Sequence, residues 1–144
     1  MSILVENLVK RFGGAAVLSE LSFSAEAGEF FVVLGPSGCG KSTLLRLIAG
    51  LEESDGGRVA LDGRDVSAPG LHVPPEARRA GVVFQSYALW PHMSVADNVA
   101  FPMEGAGRSK VDLAREVADH LSTVSLGDFA GRRPAELSGG QRQR

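Results

Sequence analysis

The sequence predicts an α/β fold from three observations. Residues 29–34 ("EFFVVL") contain a continuous Phe/Val/Leu run without polar alternation, which is typical of a strand buried on both faces of a parallel sheet. A glycine-rich turn follows, and the next segment predicts a helix from about Lys41 to Ala49 that ends at Gly50. Residues 80–85 ("AGVVFQ") resemble a second buried strand. We therefore predict an α/β core.

The segments around the first buried run are also rich in predicted strands. Residues 2–34 contain two stretches that alternate between apolar and polar residues, with a turn at Gly13-Gly14 between them. Residues 56–66 predict a further strand and turn, and residues 69–79 predict a loop.

The last third of the chain predicts helices. Ser94 and Ser109 each precede an aspartate by three residues, a spacing that caps the start of a helix, and Gly127 is placed to close the second helix. We therefore predict two parts of the chain, an α/β core over residues 1–88 and a helical subdomain over residues 89–144.

The composition predicts a soluble cytosolic domain that does not bind nucleic acid. The 144 residues suffice for one domain with a core, and the hydrophobic and charged fractions, 44% and 22%, are near globular averages. A net charge of -2 lacks the positive field that nucleic acid requires. Cys39 is the single cysteine, which excludes an internal disulfide. No signal peptide or bilayer-length apolar run occurs, so any membrane role must act through a partner.

The glycine-rich turn matches a phosphate-binding loop. Gly35, Gly40, Lys41 and Ser42 satisfy the spacing G-x-x-x-x-G-K-[ST] between a predicted strand and a predicted helix. Glycines let successive backbone N–H groups line an anion-binding concavity, and the helix adds the positive end of its dipole. Lys41 is then expected to reach the β- and γ-phosphates, and Ser42 to ligate Mg²⁺. The alternative is a structural turn with a solvent-exposed lysine.

A second glycine-bearing turn lies far downstream, at residues 137–141 ("LSGGQ"). It opens a predicted helix and offers backbone N–H donors, together with the hydroxyl of Ser138, to a terminal phosphate. Such a turn by itself is more often an ordinary loop. Its combination with the phosphate loop makes it specific.

The motifs resemble, in the same order, those of the ATP-binding cassette (ABC) ATPases of membrane transporters. The resemblance runs through "GPSGCGKSTLLRLIAGLEESDGG", "VVFQSYALWPHMSVADNVAF" and "LSGGQRQR", and is strongest to the cytoplasmic subunits of bacterial solute importers. It implies a P-loop NTPase (ABC ATPase) core with Walker A and Q-loop motifs, an N-terminal antiparallel β region and a helical subdomain. It also implies ATP and Mg²⁺ as cofactors.

The resemblance assigns roles to individual residues. Phe12 stands where the family stacks an aromatic ring on adenine, with a core phenylalanine as the alternative. Gln85 matches a glutamine that approaches Mg²⁺ and the attacking water, so the implied metal contacts are Ser42 and Gln85. The implied catalytic residues are Lys41, Gln85 and Ser138. The implied nucleotide contacts are Gly35, Ser37, Gly38, Cys39, Gly40, Lys41, Ser42 and Thr43, and from the signature Ser138, Gly139, Gly140 and Gln141.

The resemblance also implies partners. Two cassettes in this family sandwich two ATP molecules head to tail, so a homodimer is expected, and each signature contacts the γ-phosphate held by the other subunit. A transmembrane permease is the second partner; large amphipathic rings suit such an interface, which predicts contacts from Tyr87, Leu89, Trp90 or His92. Burial of these residues in the helical region is the alternative. No catalytic role is assigned to His72, His92 or His120.

Two parts of the family pattern are missing from the sequence. Phosphoryl transfer to water needs an acid for Mg²⁺ and a group that orients the water, which the family supplies from an Asp-Glu strand (Walker B) and a histidine after the signature. No apolar run followed by Asp-Glu occurs here. We therefore expect the N-terminal part of a longer cassette, truncated before the Walker B strand. We also expect negligible hydrolysis by the chain alone and incomplete cover for Phe31 and Val33.

The sequence thus predicts the ATP-binding, energy-coupling subunit of an ABC importer, located in the cytoplasm on the inner face of the membrane. Two alternatives remain: an ABC ATPase without a transporter, and a fragment that binds nucleotide without catalysis. The short separation of the two motifs, without extended heptads, disfavours the DNA-repair type. The transported solute is not expected to be readable from this subunit.

Overall fold

An antiparallel sheet forms the framework of the first part of the chain. The computed structural model describes residues 1–84, 86–104 and 109–144. The strands described are β1 (Ile3–Phe12), β2 (Ala15–Ala25), β3 (Gly56–Leu61), β4 (Arg64–Ala68) and β5 (Leu71–His72). They lie in the order β2-β1-β3-β4-β5, and every neighbouring pair is antiparallel. The predicted N-terminal antiparallel β region is confirmed.

One helix covers this sheet. Helix α1 (Lys41–Ala49) contributes Leu44 and Leu47, which are 2% and 1% exposed, to a core that also contains Leu8 and Val59 of the sheet. Complete burial of an aliphatic side chain of this size contributes about 1.5–3 kcal/mol. The apolar face of α1 therefore fixes the helix, and with it the loop that precedes the helix, on the sheet.

The C-terminus of α1 lies where the sequence predicts it. Gly50 adopts a left-handed conformation with φ 81°, and its N–H donates to the Leu47 carbonyl at 3.2 Å. The N–H of Leu51 donates to the Arg46 carbonyl at 2.9 Å, which completes the two-bond pattern of a glycine-terminated helix. The predicted bounds of α1 are confirmed.

A buried arginine joins the end of α1 to the strands. Arg78 is 4% exposed, and its guanidinium donates to the carbonyls of Leu47 at 2.7 Å and Ile48 at 2.9 Å. It also donates to the carbonyls of Val73 at 2.6 Å and Val66 at 3.0 Å. Burial lowers the pKa of Arg78 from its ordinary value. The cation is thus stabilised mainly by main-chain dipoles, two of them at the negative end of a helix.

The second part of the chain is helical. Its elements are α2 (Val95–Ala100), α3 (Lys110–Thr123) and α4 (Gly139–Gln143), with 3₁₀ turns at Phe101–Met103, Gly127–Phe129 and Pro134–Glu136. A separate core unites these elements and contains Val95, Val117, Leu121, Leu126 and Leu137. The chain accordingly divides into two compact units, Met1–Val82 and Val83–Arg144. The structure places the boundary after residue 82, whereas the sequence predicts it after residue 88.

The helix starts are confirmed, and one helix end differs from the prediction. Ser94 forms a reciprocal capping box with Asp97, and its hydroxyl and N–H lower the pKa of that carboxyl. Ser109 caps α3 by accepting from the N–H of Asp112 at 3.1 Å. Helix α3 ends at Thr123 rather than at Gly127, because the chain already turns at Ser125 with φ 55°.

The run at residues 29–34, predicted as a buried parallel strand, forms no strand. Phe30 and Leu34 are 92% and 86% exposed. Phe31 stacks on Phe23 at a centroid distance of 4.8 Å but stays 44% exposed, and Val33 is half-buried against the core. The physical reason is that no other segment of the described residues pairs with this run, so no sheet encloses it. The expected incomplete cover of Phe31 and Val33 is confirmed.

The second predicted buried strand also differs in the structure. Residues 80–84 form no strand, and Val83 and Phe84 are 100% and 44% exposed. Gln85 lies outside the described residues, so the end of this segment stays a prediction. Among the helices in the described ranges, none is both long enough and apolar enough to cross a membrane.

We predict that replacing Arg78 by Met lowers the free energy of unfolding by about 3 kcal/mol or more, because four buried carbonyls lose charged donors. Urea denaturation followed by circular dichroism measures this loss. Arg79→Met is the matched control, because Arg79 is exposed; a change within about 0.5 kcal/mol is expected there. Equal midpoints for the two variants would contradict the role given to Arg78.

Candidate functional site

The glycine-rich loop packs closely against the sheet at Gly40. Gly40 has φ 93°, a left-handed conformation that strains residues with a side chain. A Cβ at this position would lie 2.9 Å from Leu18 Cδ2 and 3.1 Å from the Val17 carbonyl oxygen of β2. A glycine is therefore required both by the backbone and by the neighbouring strand, which brings the start of α1 against the sheet.

The loop is open to solvent around Gly38. Gly38 has φ 81°, and a Cβ there would meet no atom within 4 Å. Ser37 and Cys39 beside it are exposed. A loop with left-handed glycines and free space next to a helix start has the form of a cradle for an anion.

The N-terminus of α1 offers unused donors. No side chain caps it, and its first turn contains no acidic residue. The first N–H with an acceptor in the helix is that of Leu44, which donates to the Gly40 carbonyl at 2.8 Å. The N–H groups of Lys41, Ser42 and Thr43 thus have no acceptor among the described residues. Unpaired N–H groups and the positive dipole end together favour a bound anion.

Lys41 supplies the cation of the site. Its Nζ donates to the carbonyls of Gly35 at 2.8 Å and Pro36 at 2.7 Å, and lies 3.7 Å from Cys39 Sγ. No carboxylate of the described ranges forms an ion pair with it. The ammonium therefore lies on the loop without a carboxylate partner in those ranges, and an incoming phosphate would replace its contacts with the Gly35 and Pro36 carbonyls.

A polyphosphate fits these residues by the chemistry of their donors. The N–H groups at the helix start and the Lys41 ammonium are all donors, and the first turn of α1 contains no acidic residue. The Ser42 hydroxyl is exposed at the same end of the helix, where it is accessible to a metal ion carried by phosphates. No group of three or more His, Cys, Asp or Glu residues suited to a metal occurs in the part of the chain that the structure describes.

Phe12 lies at the end of β1 beside a tight turn. It pairs with Ala15 across Gly13 and Gly14, which take φ 54° and 86°. The ring is 47% exposed, which excludes the alternative of a core phenylalanine. Its predicted contact with adenine stays a prediction, and the exposed ring is compatible with it.

The second glycine-bearing turn is a helix start in the second unit. Ser138 caps α4: its hydroxyl accepts from the N–H of Gln141 at 3.3 Å, and the Gln141 side chain accepts from the N–H of Ser138 at 2.8 Å. No atom lies within 4 Å of a Cβ built on Gly139 or Gly140. Because the Ser138 oxygen acts as acceptor, its own O–H remains able to donate to a ligand.

Exposed aromatic rings cluster in the same unit. Trp90 is 49% exposed and contacts the rings of Phe101 and His92 at centroid distances of 6.0 Å and 6.1 Å. Tyr87 is 44% exposed, with the Arg142 guanidinium 5.7 Å from its ring centroid. These exposures argue against burial of Tyr87 and Trp90 inside the helical unit, whereas Leu89 is half-buried.

Sequence reasoning missed two residues that position the candidate site groups. Asn98 fixes the main chain of Trp90: its Oδ1 accepts from the Trp90 N–H at 2.7 Å, and its Nδ2 donates to the Trp90 carbonyl at 3.1 Å. Lys10 lies with its Nζ 4.9 Å from the centroid of the Phe12 ring. Nothing in the sequence points to Asn98, whereas the spacing of Lys10 and Phe12 on one strand was a usable signal.

Comparison with protein families gives a match to the family described as "ABC transporter" over residues 18–144. The chain is 53% identical to a spermidine/putrescine import ATP-binding protein PotA of Hahella chejuensis, over 99% of this chain and 38% of the relative. It is 50% identical to the PotA protein of Nitrosospira multiformis, over 97% and 38%. It is 49% identical to the sn-glycerol-3-phosphate import ATP-binding protein UgpC 1 of Rhizobium johnstonii, over 99% and 37%.

A solved structure has a similar fold. It is a dimeric ATP-binding cassette in a post-hydrolysis state, bound to ADP and Pi, with a TM-score of 0.77 and 25% identity. The similarity covers 98% of this chain and 65% of that chain. The chain thus spans less than half the length of the curated relatives named above and about two thirds of this solved cassette.

We predict that Gly40→Ala destabilises the chain more than Gly38→Ala does. Both changes place a side chain at positive φ, but only the Cβ at position 40 meets β2. The expected difference in the free energy of unfolding is about 1–3 kcal/mol, measured by urea denaturation. Equal losses in the two variants would show that the contact with β2 contributes nothing.

Proposed function

The chain belongs to the ABC transporter family, and on that premise we propose that it binds MgATP as the nucleotide-binding part of an import ATP-binding subunit. The observation that carries the proposal is the ammonium of Lys41, which pairs with no carboxylate of the described residues, beside the uncapped start of α1. A triphosphate brings the acceptors that this group of donors lacks. The whole subunit's activity, ATP hydrolysis coupled to import, is part of the same proposal.

Each candidate residue has a proposed task in binding ATP. The loop Gly35, Ser37, Gly38, Cys39 and Gly40 presents main-chain N–H groups to the phosphates, and Lys41, Ser42 and Thr43 continue this row into α1. Ser42 would ligate Mg²⁺, and Gln85 is proposed to approach the same ion and the attacking water. The bound metal would supply charge neutralisation on the phosphate oxygens. Phe12 would stack on adenine.

The signature is proposed to act on a second subunit. Ser138, Gly139, Gly140 and Gln141 start a short helix with two open glycines and a hydroxyl able to donate. We assign them to the γ-phosphate held by a partner cassette. The dimeric state of the similar solved cassette supports this assignment, and a homodimer is the proposed form.

A transmembrane permease is the proposed second partner. The exposed rings of Trp90 and Phe101 contact each other, and Tyr87 is exposed in the same unit. Aromatic residues are enriched at interfaces. The relatives named for import support a location on the cytoplasmic face of the inner membrane, held there through the permease. We assign no solute, because relatives named for two different solutes match at 53% and 49% identity.

We predict that Lys41→Ala weakens MgATP binding about tenfold or more, because charge-assisted contacts to the phosphates are lost. Isothermal titration calorimetry of the 144-residue chain with MgATP measures the change. Lys110→Ala serves as the control, because Lys110 is an exposed lysine at the start of α3, and it should leave the affinity unchanged. The proposal fails if the unsubstituted chain takes up no ATP, or if Lys41→Ala binds ATP equally well.

A further inference from the structure

Lys10 is a buried lysine next to Phe12, the ring proposed to stack on adenine. It is 7% exposed, which is unusual for a lysine, and its Nζ lies 4.9 Å from the Phe12 ring centroid. This distance is within the range of a cation–π interaction. The ring keeps 47% of its surface exposed, so the contact with Lys10 leaves room for a ligand.

Two further contacts fix the ammonium. It lies 2.8 Å from Glu52 Oε1 and donates to the Glu53 carbonyl at 2.7 Å. A lysine has a flexible stem, and only surrounding partners hold its head group in one place. The carboxylate, the carbonyl and the ring therefore define one position for the Lys10 ammonium, and the ammonium in turn attracts the ring face.

The partners of Lys10 belong to residues 50–55, which connect α1 to β3. This connection is also bonded to β1 on both sides of Lys10. The N–H of Asp55 donates to the Val9 carbonyl at 2.9 Å, and the Asp55 carboxylate accepts from the Arg11 N–H. Residues 50–55 and strand β1 are thus joined around the buried Lys10.

We infer that Lys10 is a positioning residue for the base of the nucleotide. It holds the Phe12 ring in place against the connection that leaves α1, so that ring and phosphate loop keep one spacing. The inference rests on the proposed function, because it assigns to Phe12 the task of stacking on adenine. It adds a residue that touches the ring and not the nucleotide.

A ligand without a base separates this role from a general structural role. MgATP and magnesium tripolyphosphate share the phosphates, but only ATP reaches the ring. We expect Lys10→Met to weaken MgATP binding about 3- to 10-fold, and tripolyphosphate binding by less than about 2-fold. Isothermal titration calorimetry measures both affinities, and circular dichroism melts confirm that each variant is folded. Lys110→Met is the control for the loss of a lysine charge.

Two more variants test the path through Phe12. Lys10→Arg keeps a cation over the ring and should restore ATP affinity to within about 3-fold of the original. In a Phe12→Leu background the ring is absent, so Lys10→Met should change ATP affinity by less than about 2-fold. Additive losses in the double variant would mean that Lys10 acts independently of the ring.

The outcomes separate this inference from the proposed function. If the original chain binds ATP through Lys41 but Lys10→Met leaves ATP affinity unchanged, the inference alone is wrong. If Lys10→Met weakens ATP and tripolyphosphate equally, the residue supports the loop or the fold, and the inference is again wrong. If the original chain binds no ATP, the proposed function fails and the inference fails with it.

Discussion

The structure of the first unit depends on the buried guanidinium of Arg78 at the C-terminus of α1. Arg78 places its charge among four main-chain carbonyls, two of them at the C-terminus of α1. A Cβ at Gly50 would overlap the guanidinium, so the helix must end in a glycine where the arginine enters. Because α1 is a rigid body of nine residues, fixing its last turn also fixes its first turn. The phosphate loop depends on that first turn.

The two ends of α1 consequently have opposite chemistry. The C-terminal carbonyls accept from a cation inside the protein, whereas the N–H groups of the first turn have no acceptor among the described residues. Both arrangements follow the direction of the helix dipole. The chain stabilises the C-terminal end with its own cation and places no acidic residue in the first turn at the N-terminal end. A ligand that brings several phosphate oxygens matches the N-terminal end.

Part of the site could be read from the sequence because it is encoded locally. Gly40 must be glycine for its backbone angle, and Lys41 follows it on the first turn of the helix, so their spacing alone places them together. The capping boxes at Ser94 and Ser138 are likewise set within four residues. Such features involve neighbours in the chain, and tertiary contacts change them little.

Burial of the apolar runs could not be read in this way. Phe30 and Val83 lie in segments whose composition is typical of enclosed strands, yet the structure exposes them. A parallel strand is buried only when other strands flank it, and that condition concerns distant segments. The composition of an apolar segment indicates that burial would be favourable. It does not indicate whether strands from distant parts of the chain flank the segment.

By itself the sequence determined the helix bounds of α1, the capped helix starts, the order of the phosphate motifs and the family. Only the tertiary structure decided that Arg78 is buried at a helix end and that Lys10 is buried in an ion pair with Glu52. Both lysine and arginine are expected at the surface from composition, because burying a charge is costly. The cost is offset only where carbonyls, a carboxylate or an aromatic ring converge from separate segments, and only folding brings these groups together.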